Sequence, residues 1–130
     1  MVQLLVCDDH AAMRRAEVGA LEAEYSVVAA VADGRVMLDA LCWTSPDVVI
    51  LDIAMPVMNG IEAAARLKER ASKAKIIFLT VHEEPEFLEA ALAAGAQGYV
   101  IKSHLVSDLR VAINEVLAGR HFISPCLNAR

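Results

Sequence analysis

The chain has 130 residues, the size of one compact domain. Its 57% hydrophobic side chains exceed the roughly 45–50% of an ordinary soluble domain, which excludes intrinsic disorder and calls for a large core. Seventeen acidic against 12 basic residues leave a net charge of −5, which excludes unaided binding to a polyanionic phosphate backbone.

In chain order, Val2–Cys7 reads as a strand, and Met13, Ala16, Ala20 and Leu21 follow at helical intervals. Tyr25–Ala32 predicts a second strand. Arg35–Trp43 predicts a helix with Leu38, Leu41 and Cys42 turned inward. Asp47–Asp52 has an unbroken apolar centre, the pattern of a strand covered on both faces. Asn59 sits three residues before Glu62, a variant of the reciprocal capping pattern, and opens a helix with Ile61, Ala64 and Leu67 on one face. Lys75–Thr80 is another apolar strand. Pro85 then opens a helix that Gly95 closes, because glycine adopts left-handed geometry without strain. Gly98–Ile101 is the fifth strand, and a broad stripe of Leu105, Leu109, Ala112, Ile113, Val116 and Leu117 marks a last helix ending at Gly119. Five alternations of strand and helix predict an α/β, doubly wound, five-stranded parallel sheet with helices on both faces.

In open sheets of this class, ligands bind beyond the carboxyl ends of the strands. The residues there are Asp8 and Asp9, Asp52, Thr80 and Lys102. Taken alone, an acidic pair also suits a helix N-terminus, and Asp52 a turn. Converging on one spot, however, carboxylates repel by about 4 kcal/mol per pair at 4 Å and an effective dielectric near 20, so they require a cation. An oxygen-only ligand set without histidine or thiol points to Mg²⁺. A carboxylate beside Mg²⁺, with an ammonium and a hydroxyl on neighbouring strands, is equipment for phosphoryl transfer, with Asp52 becoming an acyl phosphate.

These residues resemble the receiver domains of two-component response regulators. The likeness rests on Asp8-Asp9, on Asp52 within LDIAMPVMNG, on Thr80 28 residues further on, and on Tyr99 and Lys102 within GYVIK. DDHAAMR, TVHEEPEFLEAALAAGAQGYVIK and AGRHFISP are most similar to the NarL/FixJ subfamily, with its LuxR-type output. The resemblance implies a flavodoxin-like receiver fold over residues 1–120, and in 121–130 the start of a linker to a helix-turn-helix DNA-binding domain not in this sequence. It implies Asp52 as phosphoacceptor, Asp9 as direct magnesium ligand, Asp8 acting largely through water, and the backbone carbonyl of Ala54 completing the protein's ligands. Lys102 would pair with phosphoryl oxygens, while Thr80 and Tyr99 would form the switch. Pro56 and Gly60 match the loop leading into the third helix. Val81, Ala54 and Ser103 depart from many relatives without deleting a reacting group.

The implied partner is a sensor histidine kinase, and the first and last helices are candidates for a homodimer contact. DNA would be reached only through the further domain. The domain would catalyse its own phosphorylation and dephosphorylation, not the turnover of a separate substrate. The alternative reading is a receiver-like interaction module that works without phosphate. A haloacid-dehalogenase-type phosphatase would want DxD where Asp52-Ile53-Ala54 stands, and a flavin binder would not want Asp8-Asp9-His10 in its phosphate loop. His10, beside the acidic pair, reads as a helix-entry residue with a solvated imidazole rather than a metal ligand or proton shuttle, and His82, His104 and His121 have no partners at metal-ligand spacing. Met55 and Met58 read as packing residues, Arg14 and Arg15 as a solvated helix face, and Cys7, Cys42 and Cys126 as idle thiols. No uncharged stretch reaches the roughly 18 apolar residues of a spanning helix, and Met1–Cys7 lacks the basic lead of a secretory signal, so a cytoplasmic location is expected.

Overall fold

Apolar β-branched and leucine-rich runs build the centre of the molecule. Strands β1 (Gln3–Cys7), β2 (Ser26–Val31), β3 (Val48–Leu51), β4 (Lys75–Thr80) and β5 (Gly98–Ile101) alternate with helices α1 (Ala11–Leu21), α2 (Gly34–Ala40), α3 (Gly60–Glu69), α4 (Pro85–Ala93) and α5 (Leu105–Leu117). A single 3₁₀ turn, Lys102–His104, joins β5 to α5, and a short strand β6 (Phe122–Ile123) and helix α6 (Pro125–Asn128) follow. This computed structural model describes residues 1–70 and 72–128.

The strands lie parallel in the order β2-β1-β3-β4-β5-β6. Because successive side chains of a strand point to opposite faces, each strand feeds two cores. Leu5, Cys7, Val49, Leu51, Phe78 and Tyr99 pack under α2, α3 and α4, while Leu4, Val6, Ile50, Ile77, Leu79 and Val100 pack under α1 and α5. All four residues of β3 are buried, as expected of a strand covered on both sides. Each such aliphatic side chain contributes about 1.5–3 kcal/mol on burial.

Polar side chains start the helices where predicted or close by. Asn59 accepts the Glu62 N–H at 2.9 Å, Asp33 accepts that of Val36 at 2.9 Å, and His10 caps α1 through Nδ1. Pro85 stands in the first turn of α4, and Gly95 follows that helix at φ +102°, as its position predicts.

Two expectations need correction. Helix α2 ends at Ala40, so Cys42 is exposed and Leu41 half-buried, and Met37 takes the inward place beside Leu38. On α1, Ala16 and Ala20 face solvent while Glu17 and Leu21 are buried. The sheet also has a sixth strand. Phe122 donates to the Gln97 carbonyl and Ser124 to that of Tyr99, and the fully buried Ser124 hydroxyl donates to Asp108 Oδ2 at 2.8 Å. These hydrogen bonds satisfy the open edge of β5 with residues 122–124. Two residues are too few to show a strand period.

Candidate functional site

Strand order reverses at β1, with β2 on one side and β3 on the other, so a crevice opens beyond the carboxyl ends of β1 and β3. The sheet ladder runs one residue past each strand: the Asp8 N–H donates to the Val31 carbonyl and that of Asp52 to Cys7, each at 3.0 Å. This backbone pairing sets Asp8 and Asp52 side by side. A carboxylate oxygen from each of Asp8, Asp9 and Asp52 lies within 4.8 Å of the others, the one grouping of metal-ligating side chains among the described residues. Asp8 and Asp52 are buried, whereas Asp9 is exposed.

Lys102, delivered by the turn after β5, places Nζ 2.8 Å from Asp8 Oδ2 and 3.1 Å from Asp52 Oδ2. The contact to Asp52 is a hydrogen bond; that to Asp8 is close but off the hydrogen-bonding direction. Asp8 Oδ1 accepts the His10 N–H at 2.9 Å, and Arg14 Nη1 donates to the Asp8 carbonyl at 2.8 Å. His10 is thus a helix cap and Arg14 a brace of the acidic loop, partly buried where a fully solvated face was expected.

Burial disfavours the charge on every group here, and neighbours decide the net direction. Burial pushes the Asp52 carboxyl above its ordinary value, Asp8 adds to the rise, and Lys102 offsets only part. Asp8 is held below its ordinary value because contacts with Glu17, Lys102 and the His10 N–H outweigh burial. Lys102 is raised, since two carboxylates outweigh its desolvation, and it stays an ammonium. Glu17, 1% exposed on α1, lies against Asp8; burial and that contact push its carboxyl up to about 9. The sequence reading overlooked Glu17, although a charged residue four positions before the inward Leu21 is a signal.

Glu17 makes stability pH-dependent. Between its ordinary value of 4.5 and about 9 the folded state keeps a proton that the unfolded chain releases, so this contribution is present below 4.5 and lost as pH rises toward 9. The metal-free domain is expected to lose stability by up to about 1.4 kcal/mol per pH unit relative to Glu17→Gln over that window. Parallel urea titrations of the two proteins across that window check this, and equal slopes would refute it.

Between Asp52 and α3 the chain makes a tight turn. The Gly60 N–H donates to the Ile53 carbonyl at 2.8 Å, and a Cβ on Gly60 would lie 2.0 Å from the Asp52 carbonyl oxygen. Pro56 lies in the same loop, and the exposed Val57 holds φ +67°, a strained conformation for a β-branched residue. Gly60→Ala is expected to destabilise the domain by about 2–3 kcal/mol and displace Asp52, measured by urea denaturation. A variant as stable as the parent would show that the turn relaxes freely.

Thr80 and Tyr99 meet at His82. Thr80 Oγ1 accepts the His82 N–H at 3.2 Å, and the Tyr99 hydroxyl donates to the His82 carbonyl at 2.8 Å. Tyr99 is fully buried against Phe78, and the His82 ring stacks on Phe87. Val81, between them in sequence, is 66% exposed. Ala54 is exposed on the rim of an apolar groove of about 470 Å³ that Ile53, Ile61, His82 and Phe87 also line. Among the described residues, no hydrogen bond joins Thr80 to the carboxylates. His104 and His121 are exposed outside the acidic group, and Met55 and Met58 join the α2–α4 core.

The model of the response regulator receiver domain matches residues 4–114. The chain belongs to that family. The receiver domain is 32% identical over 126 residues to the transcriptional regulatory protein DegU of Brevibacillus brevis, covering 95% of this chain and 53% of that protein. It is similar to a solved two-component response regulator of the LuxR family from Aurantimonas, with TM-score 0.93, 34% identity and coverage of 99% of this chain and 94% of that one. The isolated REC domain of RcsB from Salmonella enterica serovar Typhimurium, solved with the phosphomimetic BeF3−, matches with TM-score 0.90, 25% identity and coverage of 98% and 96%. The chain spans 53–64% of the length of the first curated relatives it matches. It is a receiver domain similar to those of NarL- and LuxR-type response regulators. No described helix is long and apolar enough to cross a membrane.

Proposed function

We propose that this receiver domain is a phosphorylation-controlled switch in which Asp52 accepts a phosphoryl group from the phosphohistidine of a sensor histidine kinase. The observation that carries the reading is the Lys102 ammonium held between Asp8 and Asp52, beside a third carboxylate, at the strand-order reversal. An Asp52 carboxylate oxygen attacks phosphorus, the P–N bond breaks, and its electron pair leaves with the imidazole. Lys102 pairs with the phosphoryl oxygens and Thr80 offers them its hydroxyl. The all-oxygen donor set fits Mg²⁺, held by Asp9, Asp52 and the Ala54 carbonyl with Asp8 through water; when bound it supplies positive charge to the phosphoryl oxygens. The new charge, about −1.5 to −2, draws on Thr80 and so on the His82 segment that Thr80 and Tyr99 share.

Output passes through receiver pairing or through a DNA-binding domain in a longer protein, and the relatives' role as transcriptional regulators supports the latter. For pairing, α1 and α5 offer Val106, 90% exposed, beside a small cleft lined by Ala20, Leu105 and Arg110. A cytoplasmic setting goes with such a kinase and such an output. A second reading, an interaction module independent of phosphate, draws on Tyr99, which is buried inward with its hydroxyl on the His82 carbonyl.

Incubation with phosphoramidate and Mg²⁺, followed by intact-mass measurement, is expected to show one adduct of about 80 Da that EDTA prevents. No adduct under any divalent cation would overturn the switch and leave the phosphate-independent module.

A further inference from the structure

The groove of about 470 Å³ between the start of α3 and α4 takes part in the phosphoryl chemistry only at Ala54. The rest of its lining is mainly apolar, and Ile61, Phe87 and Ala90 are left half-buried there, with the His82 ring stacked on Phe87 at 4.0 Å. Its volume is that of clefts that take ligands or anchoring side chains, roughly 300–1,000 Å³. Charge on this side has one sign. Between Lys75 and Lys102 stand Glu83, Glu84, Glu86 and Glu89, and no lysine or arginine. Glu86 lines the groove, and the exposed Glu84 places Oε2 3.7 Å from Nδ1 of His82, another lining residue. The helix dipole accounts for carboxylates in a first turn, yet Glu84 makes no capping bond through its side chain and Glu89 stands in the second turn. On α3, Arg66 is already paired with Glu62 at 3.6 Å.

We propose that the α3–α4 groove is a docking site for a helix of a partner protein whose apolar face is flanked by lysine or arginine side chains. Apolar anchors of such a helix fill the groove against Ile61, Phe87 and Ala90, and its cations meet Glu84 and Glu86. A second copy of this chain does not offer that pattern. Its cation-rich residues 66–75 carry no exposed large apolar side chain among those described, and Arg110, one turn from the exposed Val106, is held by Glu24 at 3.1 Å. The proposal does not depend on phosphate at Asp52.

Fluorescence anisotropy of a labelled peptide of about 16 residues, with leucines on one helical face flanked by lysines, titrated with the full chain tests this. Saturable binding that weakens at high salt is expected. It should be about fivefold weaker in Glu86→Lys, and at least about tenfold weaker in Ala90→Arg, whose side chain fills the groove and repels lysine. Glu86 is exposed, so its variant keeps the fold and decides the matter should Ala90→Arg not fold. No binding overturns the proposal, as does parent-like affinity in Glu86→Lys. Equal binding of a peptide with glutamates in place of lysines, or with the leucines scrambled off one face, overturns it too. Self-association of the full chain in sedimentation runs that Ala90→Arg abolishes would put a second copy in the groove and overturn the partner helix.

Discussion

Asp52→Asn is expected to abolish the phosphate adduct completely and, in metal-free buffer, to make the domain more stable. The first effect is chemical: an amide oxygen is too weak a nucleophile to attack phosphorus, and Asp8, the other carboxylate beside Lys102, is tied by the His10 N–H on its Oδ1. The second follows from charge. Asp52 is 7% exposed, and burial together with Asp8 raises its carboxyl more than Lys102 lowers it, so its ionised form destabilises the fold at neutral pH. An acid raised in this way contributes stability that is fully present below its ordinary value and is lost as pH rises through the folded value. Asparagine removes that charge while its oxygen still accepts from Lys102, a gain of about 1 kcal/mol for relief of one like-charge contact at a partly solvated site. Intact mass after phosphodonor treatment and thermal melting in EDTA measure the two effects. An adduct that survives in the variant would mean that another residue accepts phosphate, and a lower melting temperature would remove repulsion from the account of the site.

Lys102→Ala acts in the opposite direction on stability. It leaves Asp8 and Asp52 buried side by side with no ammonium between them, the situation in which breaking a buried ion pair costs about 3–5 kcal/mol. Because the site opens to solvent at Asp9, the expected loss is about 2–3 kcal/mol. Added Mg²⁺ should restore much of it, since a divalent cation among the same oxygens replaces the missing charge. Phosphoryl transfer should fall by about 10²–10³-fold even with saturating Mg²⁺, the typical loss on removing one preorganised donor to transition-state charge. Melting with and without Mg²⁺ separates the structural effect from the chemical one, and phosphorylation kinetics measure the latter. Parent-like rates in the variant would show that the ammonium is a structural counter-ion only.

Much of the site was legible because its chemistry sits on covalently local markers. Asp8-Asp9, Asp52, Thr80 and Lys102 each follow an apolar run whose period announces a strand, and parallel alternation sends every strand end to one edge. Gly60 was legible only through the resemblance, as part of the loop leading into the third helix, and the structure supplies the reason, a Cβ there lying 2.0 Å from the Asp52 oxygen. Elements whose partners are distant in the chain were not. Phe122 and Ile123 form a strand only because β5 offers them an open edge, and Ser124 is buried only because Asp108 faces it from α5.

By itself, the order of apolar periods and acidic strand ends determined an α/β sheet with an acidic edge, because backbone periodicity and strand polarity are properties of contiguous residues. Tertiary structure alone decided how that edge is charged. Whether Lys102 reaches both carboxylates, whether Glu17 lies against Asp8 and whether Tyr99 is held inward depend on distances between residues 9 to 94 positions apart in the chain, which packing sets and no local pattern encodes.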